Sequence, residues 1–207
     1  MGGKSVALGR PRAFDVDEAL DRALAVFWRR GYEGASLADL TREMGISPPS
    51  LYAAFGNKEA LFRRAVDRYA AGPAAYQARA LARPTARGVA EALLAGVVDL
   101  LADPETPPGC LVVQGALAAG EASEAARAHL AACRAAREAE IRARLERAAA
   151  EGDLPAGADP AALARFLAAV MFGLAVQAAG GAGRAELAAA AAVALRAWPE
   201  GVEKSVA

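Results

Sequence analysis

The chain has 207 residues, enough for one large domain or two small ones. Hydrophobic residues make up 55% and charged residues 23%, a globular composition rather than a disordered one. The 24 basic and 24 acidic residues cancel, so total charge announces no nucleic-acid partner.

The distribution of charge says slightly more. Residues 1–70 carry eleven Lys and Arg against nine Asp and Glu, a net of +2, and the remainder carries −2. Lys4, Arg10 and Arg12 have no acid among them in the first twelve residues. Such a basic arm either stays in water or lies along a nucleic-acid backbone. No apolar run follows Lys4, so no signal peptide is expected.

Apolar residues then recur at helical spacing throughout, and nothing reads as a strand. Leu20, Ala23, Leu24 and Phe27 place a helix from about Val16 to Arg30. Acids stand at its start, Arg29 and Arg30 at its end, and Gly31 stops it. Ser36 is the N-cap of a second helix, Leu37 to Met44, and Gly45 is its left-handed stop. Ile46 is apolar inside the turn and is expected to face a core. Ser47 caps a third helix, whose first positions suit Pro48 and Pro49 because the N–H groups there have no intrahelical partner. Two helices of about eight residues are thus joined by Gly45-Ile46-Ser47.

Asn57 caps a fourth helix, which starts at Lys58 and reaches Ala71 before Gly72-Pro73 breaks it. Lys58 is the odd residue. A cation in the first turn opposes the helix dipole at about 0.3–1 kcal/mol. A phosphate would resolve the conflict, because the exposed N–H groups and the ammonium then grip one anion; the alternative is an ammonium that extends into water. Longer helices are expected over 84–102, 110–119, 124–150, 160–179 and 184–197. The stretch "FLAAVMFGLAVQAAGGA", 166–182, contains Gln177 and three glycines and is shorter than the roughly 20 residues of a membrane span. A buried helix and no membrane role are therefore expected.

Helix, three-residue turn, helix on a preceding helix is the helix-turn-helix arrangement, whose second helix enters the major groove of DNA. The stretch "ALAVFWRRGYEGASLADLTREMGISPPSLYAAFGNKEALF" resembles the DNA-binding half of TetR-type transcriptional regulators. It has the aromatic-Gly-aromatic passage (Phe27, Gly31, Tyr32) and Ser36 opening the second helix. Gly-Ile-Ser follows in the turn, then Leu-Tyr-x-x-Phe, then Lys-Glu-x-Leu opening the fourth helix. The match is specific across residues 14–62; beyond it the likeness is one of length and helical architecture.

The resemblance implies an all-α fold: a three-helix DNA-binding domain over 1–56, joined by a helix to a ligand-binding and dimerisation bundle over 57–207. It implies a cytoplasmic, ligand-responsive repressor that binds operator DNA as a homodimer and releases it when a small effector binds. Ser36, Ser50, Tyr52 and Lys58 would contact phosphates, Arg10 and Arg12 would follow the backbone, and Ser47, Pro48, Pro49, Ser50, Tyr52 and Ala53 would face the groove. The last two long helices would pair with their copies, and alanine-rich "RAELAAAAAVALRAW" lets backbones approach closely. The chain departs from the family where Lys-Gly often follows the turn, here Pro48-Pro49, and where a His often ends the third helix, here Ala54. No Arg, Asn or Gln lies between Ser47 and Phe55, so thymine methyls and DNA shape must carry more of the discrimination.

A pocket between bundle helices is expected to be mostly apolar with few polar groups. Its candidates are Tyr69, Tyr76, Val97, Leu100, Cys110, Val113, Gln114, Leu117, Phe166, Val170, Met171 and Leu174. Cys110 is expected in the first turn of a helix, where the dipole favours a thiolate and a redox role; the alternative is a small half-buried apolar group. Two cysteines and one histidine exclude a four-ligand Cys/His zinc site, and the pair His129 and Cys133, four apart, does not by itself argue for a metal. No cofactor is expected. An all-helical enzyme or small-molecule binder without a DNA role is the competing reading, but no Gly-rich phosphate loop and no HExxH motif supports it.

Overall fold

The computed structural model describes residues 14–117 and 124–199, the side chains of 115–117 excepted. Arg10 and Arg12 lie outside the described residues, as does the Leu117 side chain. Ten α-helices are described: α1 Val16–Gly34, α2 Leu37–Met44, α3 Pro48–Phe55, α4 Lys58–Ala71, α5 Tyr76–Leu81, α6 Ala86–Leu101, α7 Leu111–Leu117, α8 Glu124–Ala150, α9 Pro160–Ala179 and α10 Arg184–Arg196. No strand occurs among the described residues.

The caps act where the local sequence places them. The Asp15 carboxylate accepts the N–H groups of Asp17 and Glu18, Ser36 that of Asp39, Ser47 that of Ser50, and Asn57 that of Ala60. Gly31 stands inside α1 at φ 68, ψ −179, a combination open essentially to glycine alone. The chain therefore turns at Arg30 as expected and folds Tyr32 back onto the core. There Phe27 meets Phe62 edge-on at 5.0 Å, and Tyr32 meets Phe62 at 5.1 Å. Ile46 is half-buried against this core.

One helix was not expected. After Gly72 a 3₁₀ turn, Pro73–Ala75, runs straight into α5. Six residues between two prolines are too few to show a helical period. The turn after α5 is fastened from α8 instead. Arg144, only 6% exposed, donates to the carbonyls of Leu81, Arg83 and Pro84 at 3.2, 2.7 and 2.9 Å, filling acceptors left open by the helix end.

α4 is not alone in touching both halves. The Trp28 indole Nε1–H on α1 donates to the Gly109 carbonyl at 3.0 Å, 81 residues away, and α1 packs on α7. Tyr69 on α4 meets the Trp28 ring edge-on at 4.7 Å. α9, 20 residues, is long and apolar enough to cross a membrane; in this fold it packs between α8, α6 and α10.

Gly96 on α6 is a contact point. A Cβ there would lie 2.3–3.0 Å from Tyr76 Cδ2, Cγ and Cβ, so the Tyr76 ring lies against bare backbone. Alanine normally stabilises a helix interior by about 0.5–1 kcal/mol over glycine. Gly96→Ala is expected to reverse that sign, because overpacking costs about 1–3 kcal/mol and the clash includes atoms next to the Tyr76 backbone. Thermal melting checks it: a rise in Tm would contradict this packing.

Candidate nucleic-acid interface and ligand cavity

α3 is divided sharply between two faces. Leu51 and Phe55 are buried, whereas Pro48, Pro49, Tyr52 and Ala53 are exposed and Ser50 is half-exposed. Tyr52 retains 49% of its surface, unusual for an aromatic on a short helix whose opposite side is wholly packed. Ser47 and Ser50 hydroxyls lie 2.9 Å apart and share a hydrogen bond. The Ser36 hydroxyl donates to Asp39 Oδ2 at 2.7 Å, so a phosphate would compete with Asp39 for its proton. Ser36, Arg42 and Arg30 together hold the Asp39 carboxyl far below the usual carboxylate range.

Lys58 has a partner within the chain. Its Nζ sits 4.4 Å from the centroid of the Tyr32 ring, and burial lowers its pKa while Glu33 opposes the change. A cation over a ring face gains about 0.5–1 kcal/mol at an exposed site, comparable with the dipole cost. The ring thus offsets the dipole, an answer beside the phosphate and the open water that the sequence suggested. Lys58 nevertheless remains half-exposed at the N-terminus of α4, next to α3. Sequence reasoning missed Tyr32 as its platform because 26 positions separate the two.

In the bundle, a cavity of about 30 Å³ is enclosed by Tyr69, Tyr76, Gln77, Val97, Leu100, Cys110, Val112, Arg137, Glu138, Ile141, Ala168, Met171 and Phe172, room for about two water molecules. Six expected residues meet there: Tyr69, Tyr76, Val97, Leu100, Cys110 and Met171. Cys110 is the residue before α7 rather than within its first turn, and its carbonyl accepts the N–H groups of Val113 and Gln114. Its Sγ accepts the Tyr69 hydroxyl at 3.2 Å. Burial, with Cys110 nearby, pushes both the Tyr69 and Tyr76 hydroxyls above their ordinary pKa.

Five expected residues stand outside the cavity lining. Phe166, Val170 and Leu174 line a groove of about 410 Å³ on the outer side of α9 and α10, with Gly173, Gln177, Ala190, Val193, Ala194 and Ala197. They are on the wrong side of α9 to meet the cavity. Val113 is buried in the core beside it, and its neighbour Val112 provides the wall. Gln114 is half-buried with its amide against Gly109, within 2.3 Å of where a Cβ would stand, and does not line the cavity. Of the lining residues not expected, Val112, Ile141, Ala168 and Phe172 are apolar, whereas Gln77, Arg137 and Glu138 come from polar helix faces that a pattern reading assigns to solvent.

An exposed second helix of a helix-turn-helix, fastened to a bundle with an internal cavity, defines a DNA-binding regulator, and comparisons agree. Residues 19–65 match the model described as "Bacterial regulatory proteins, tetR family", and residues 89–204 match "Tetracyclin repressor-like, C-terminal domain". The HTH-type transcriptional repressor ComR of Escherichia coli (strain K12) is 36% identical over 196 residues, 93% of this chain and 92% of the relative. The repressor BdcR of the same organism is 46% identical over 61 residues, 30% of this chain and 31% of its own. Among solved structures, a cysteine mutant of the TetR family transcriptional regulator CifR, complexed with 26-base-pair operator DNA, is 52% identical. It covers 92% of this chain and 100% of its own, at a TM-score of 0.87. The chain belongs to the TetR family of transcriptional regulators, and it is a DNA-binding regulator rather than an enzyme.

Proposed function

We propose that this regulator represses transcription from the cytoplasm as a two-fold dimer, with α3 of each protomer in a major groove. The exposed face of α3, set on a buried Leu51-Phe55 side, carries this reading. Ser47, Pro48, Pro49, Ser50, Tyr52 and Ala53 face the groove, Ser36 and Lys58 take phosphates, and the arm with Arg10 and Arg12 follows the backbone. The DNA-binding domain ends at residue 56, and 57–207 bind the effector and dimerise. The α9–α10 groove supports the dimer: Val193 is 55% exposed on it, part of an apolar surface that a second copy would cover. Recognition helices would then lie about 34–36 Å apart or a multiple of that.

The effector occupies the bundle cavity. α4 begins at Lys58 and reaches Tyr69 in the cavity wall, about 16 Å along at 1.5 Å per residue. The Trp28–Gly109 bond gives α1 a second tie to the same wall. A ligand that displaces Tyr69 or the Gly109-Cys110 loop shifts both helices and alters the spacing of the recognition helices without unfolding either domain. Distances between the two copies of Ser50, by spin label, should change with an effector that releases DNA; equal distances would contradict this switch.

Lys58→Ala is expected to weaken binding to all duplexes by a similar factor and to lower the slope of log affinity against log salt by about one. A drop in stability with an unchanged salt slope would mean that Lys58 serves Tyr32 alone. Anisotropy titrations at several salt concentrations decide between them.

A further inference from the structure

The cavity wall holds an arginine that no acid pairs with among the described residues. Arg137 makes no ion pair among the described residues; its guanidinium donates once, from Nη1 to Gln77 Oε1 at 3.2 Å. Gln77 is 5% exposed and returns a bond from Nε2 to the Arg137 carbonyl at 3.3 Å. A buried amide thus holds the arginine in place while leaving most of its five donors open. The nearest ring, Tyr69, has its centroid 6.0 Å from Arg137 Cζ, the outer limit of a cation–π contact.

The acid beside it is engaged elsewhere. Glu138 also lines the cavity, but Arg165 Nε donates to its Oε1 at 2.6 Å. Glu138 is thus held by Arg165 from outside the cavity, while Arg137 has no acid of its own. The remaining polar groups are the Tyr69 hydroxyl, which donates to Cys110, and the Tyr76 hydroxyl, which makes no hydrogen bond among the described residues. The other walls are Val97, Leu100, Ile141, Met171 and Phe172. Arg137 and Gln77 also line a groove of about 230 Å³ on the outer surface, with Ala70, Ala74, Ala75, Ala78 and Glu140. A ligand arriving there meets the guanidinium together with Glu140.

We propose that the effector is a small apolar acid whose carboxylate pairs with Arg137 while its apolar body enters among Val97, Ile141, Met171 and Phe172. This rests on the reading of the cavity as the effector site. Arginine matches a carboxylate with two parallel N–H···O bonds, and the acid beside it is already held by Arg165. The cavity is small, so a body of six or seven carbons displaces Tyr76 or Phe172 on entry.

The test uses the full chain and two matched pairs, hexanoate with hexanamide and benzoate with benzamide. Calorimetry and thermal melting are expected to show the acids binding about 10-fold or more tighter than the amides, the scale of one charge-assisted bond. Arg137→Gln, which keeps a partner for Gln77, should erase the preference, and Arg137→Lys should retain part of it. Amides that equal the acids, a preference that survives Arg137→Gln, or no binding by either acid overturns the proposal; the wild-type ratio decides even if a variant does not fold. Val97→Phe fills the cavity and separates the two readings. Acid binding that persists in it removes the cavity as the site, whereas neutral binding that it abolishes keeps the cavity and removes only the anion.

Discussion

Trp28→Phe is expected to lower stability by about 2–4 kcal/mol and to weaken the response of DNA binding to effector. The indole N–H is the sole described donor to the buried Gly109 carbonyl across the α1–α7 junction. Phenylalanine keeps a ring in place but orphans that carbonyl, at about 1–3 kcal/mol, and leaves a small void. For a chain of this length each kcal/mol moves Tm by about 2–4 °C, so the fall should be about 4–16 °C. The functional part is separable from the structural part. Tyr69 touches both Trp28 and Cys110, so the indole lies one contact from the cavity and belongs to the DNA-binding half. If the tie transmits the switch, the ratio of DNA affinities without and with effector shrinks more than either affinity does. An unchanged Tm would show that the bond contributes nothing; an unchanged ratio would leave α4 as the only route.

Val193→Asp should have the larger effect on function and the smaller one on the fold. Val193 is the most exposed large apolar residue described, and it lines the α9–α10 groove beside Phe166, Val170 and Ala190. In a lone protomer the carboxylate would remain in water, so the protomer's melting should hardly change. In a two-fold interface each copy places an unpaired carboxylate in an apolar contact near its mate, a cost of about 3–5 kcal/mol in dimer stability. That weakens the dimer on the order of 10²–10⁴-fold, and operator affinity falls with it because a single protomer reaches one half-site. Sedimentation velocity and anisotropy check it together. A variant that remains a dimer at low micromolar concentration would place the interface elsewhere.

The helix-turn-helix was legible because its signals are local. A cap hydrogen bond spans three residues, so Ser36, Ser47 and Asn57 announce helix starts wherever they stand, and Gly31 and Gly45 announce stops. Which side of α3 faces out follows from the spacing of Leu51 and Phe55. Those elements came from sequence alone because the interactions that define them lie within one turn of chain.

The cavity depended on distant contacts. α9 is apolar around nearly its whole circumference, so composition could not say which face meets the cavity and which meets solvent or a partner. Packing against α6 and α8 turned Ala168, Met171 and Phe172 inward and left Phe166 and Val170 outside. The polar walls were hidden for the converse reason: Arg137 and Glu138 sit on α8, whose many charges read as a solvated surface, and only the seating of α5 and α9 against it encloses them. Lys58 shows the same division within one residue. The sequence by itself determined that its charge opposes the helix dipole, because the cap and the helix start are local. Only the tertiary structure decided what answers that charge, because the Tyr32 ring is brought to it by a glycine turn 27 positions upstream.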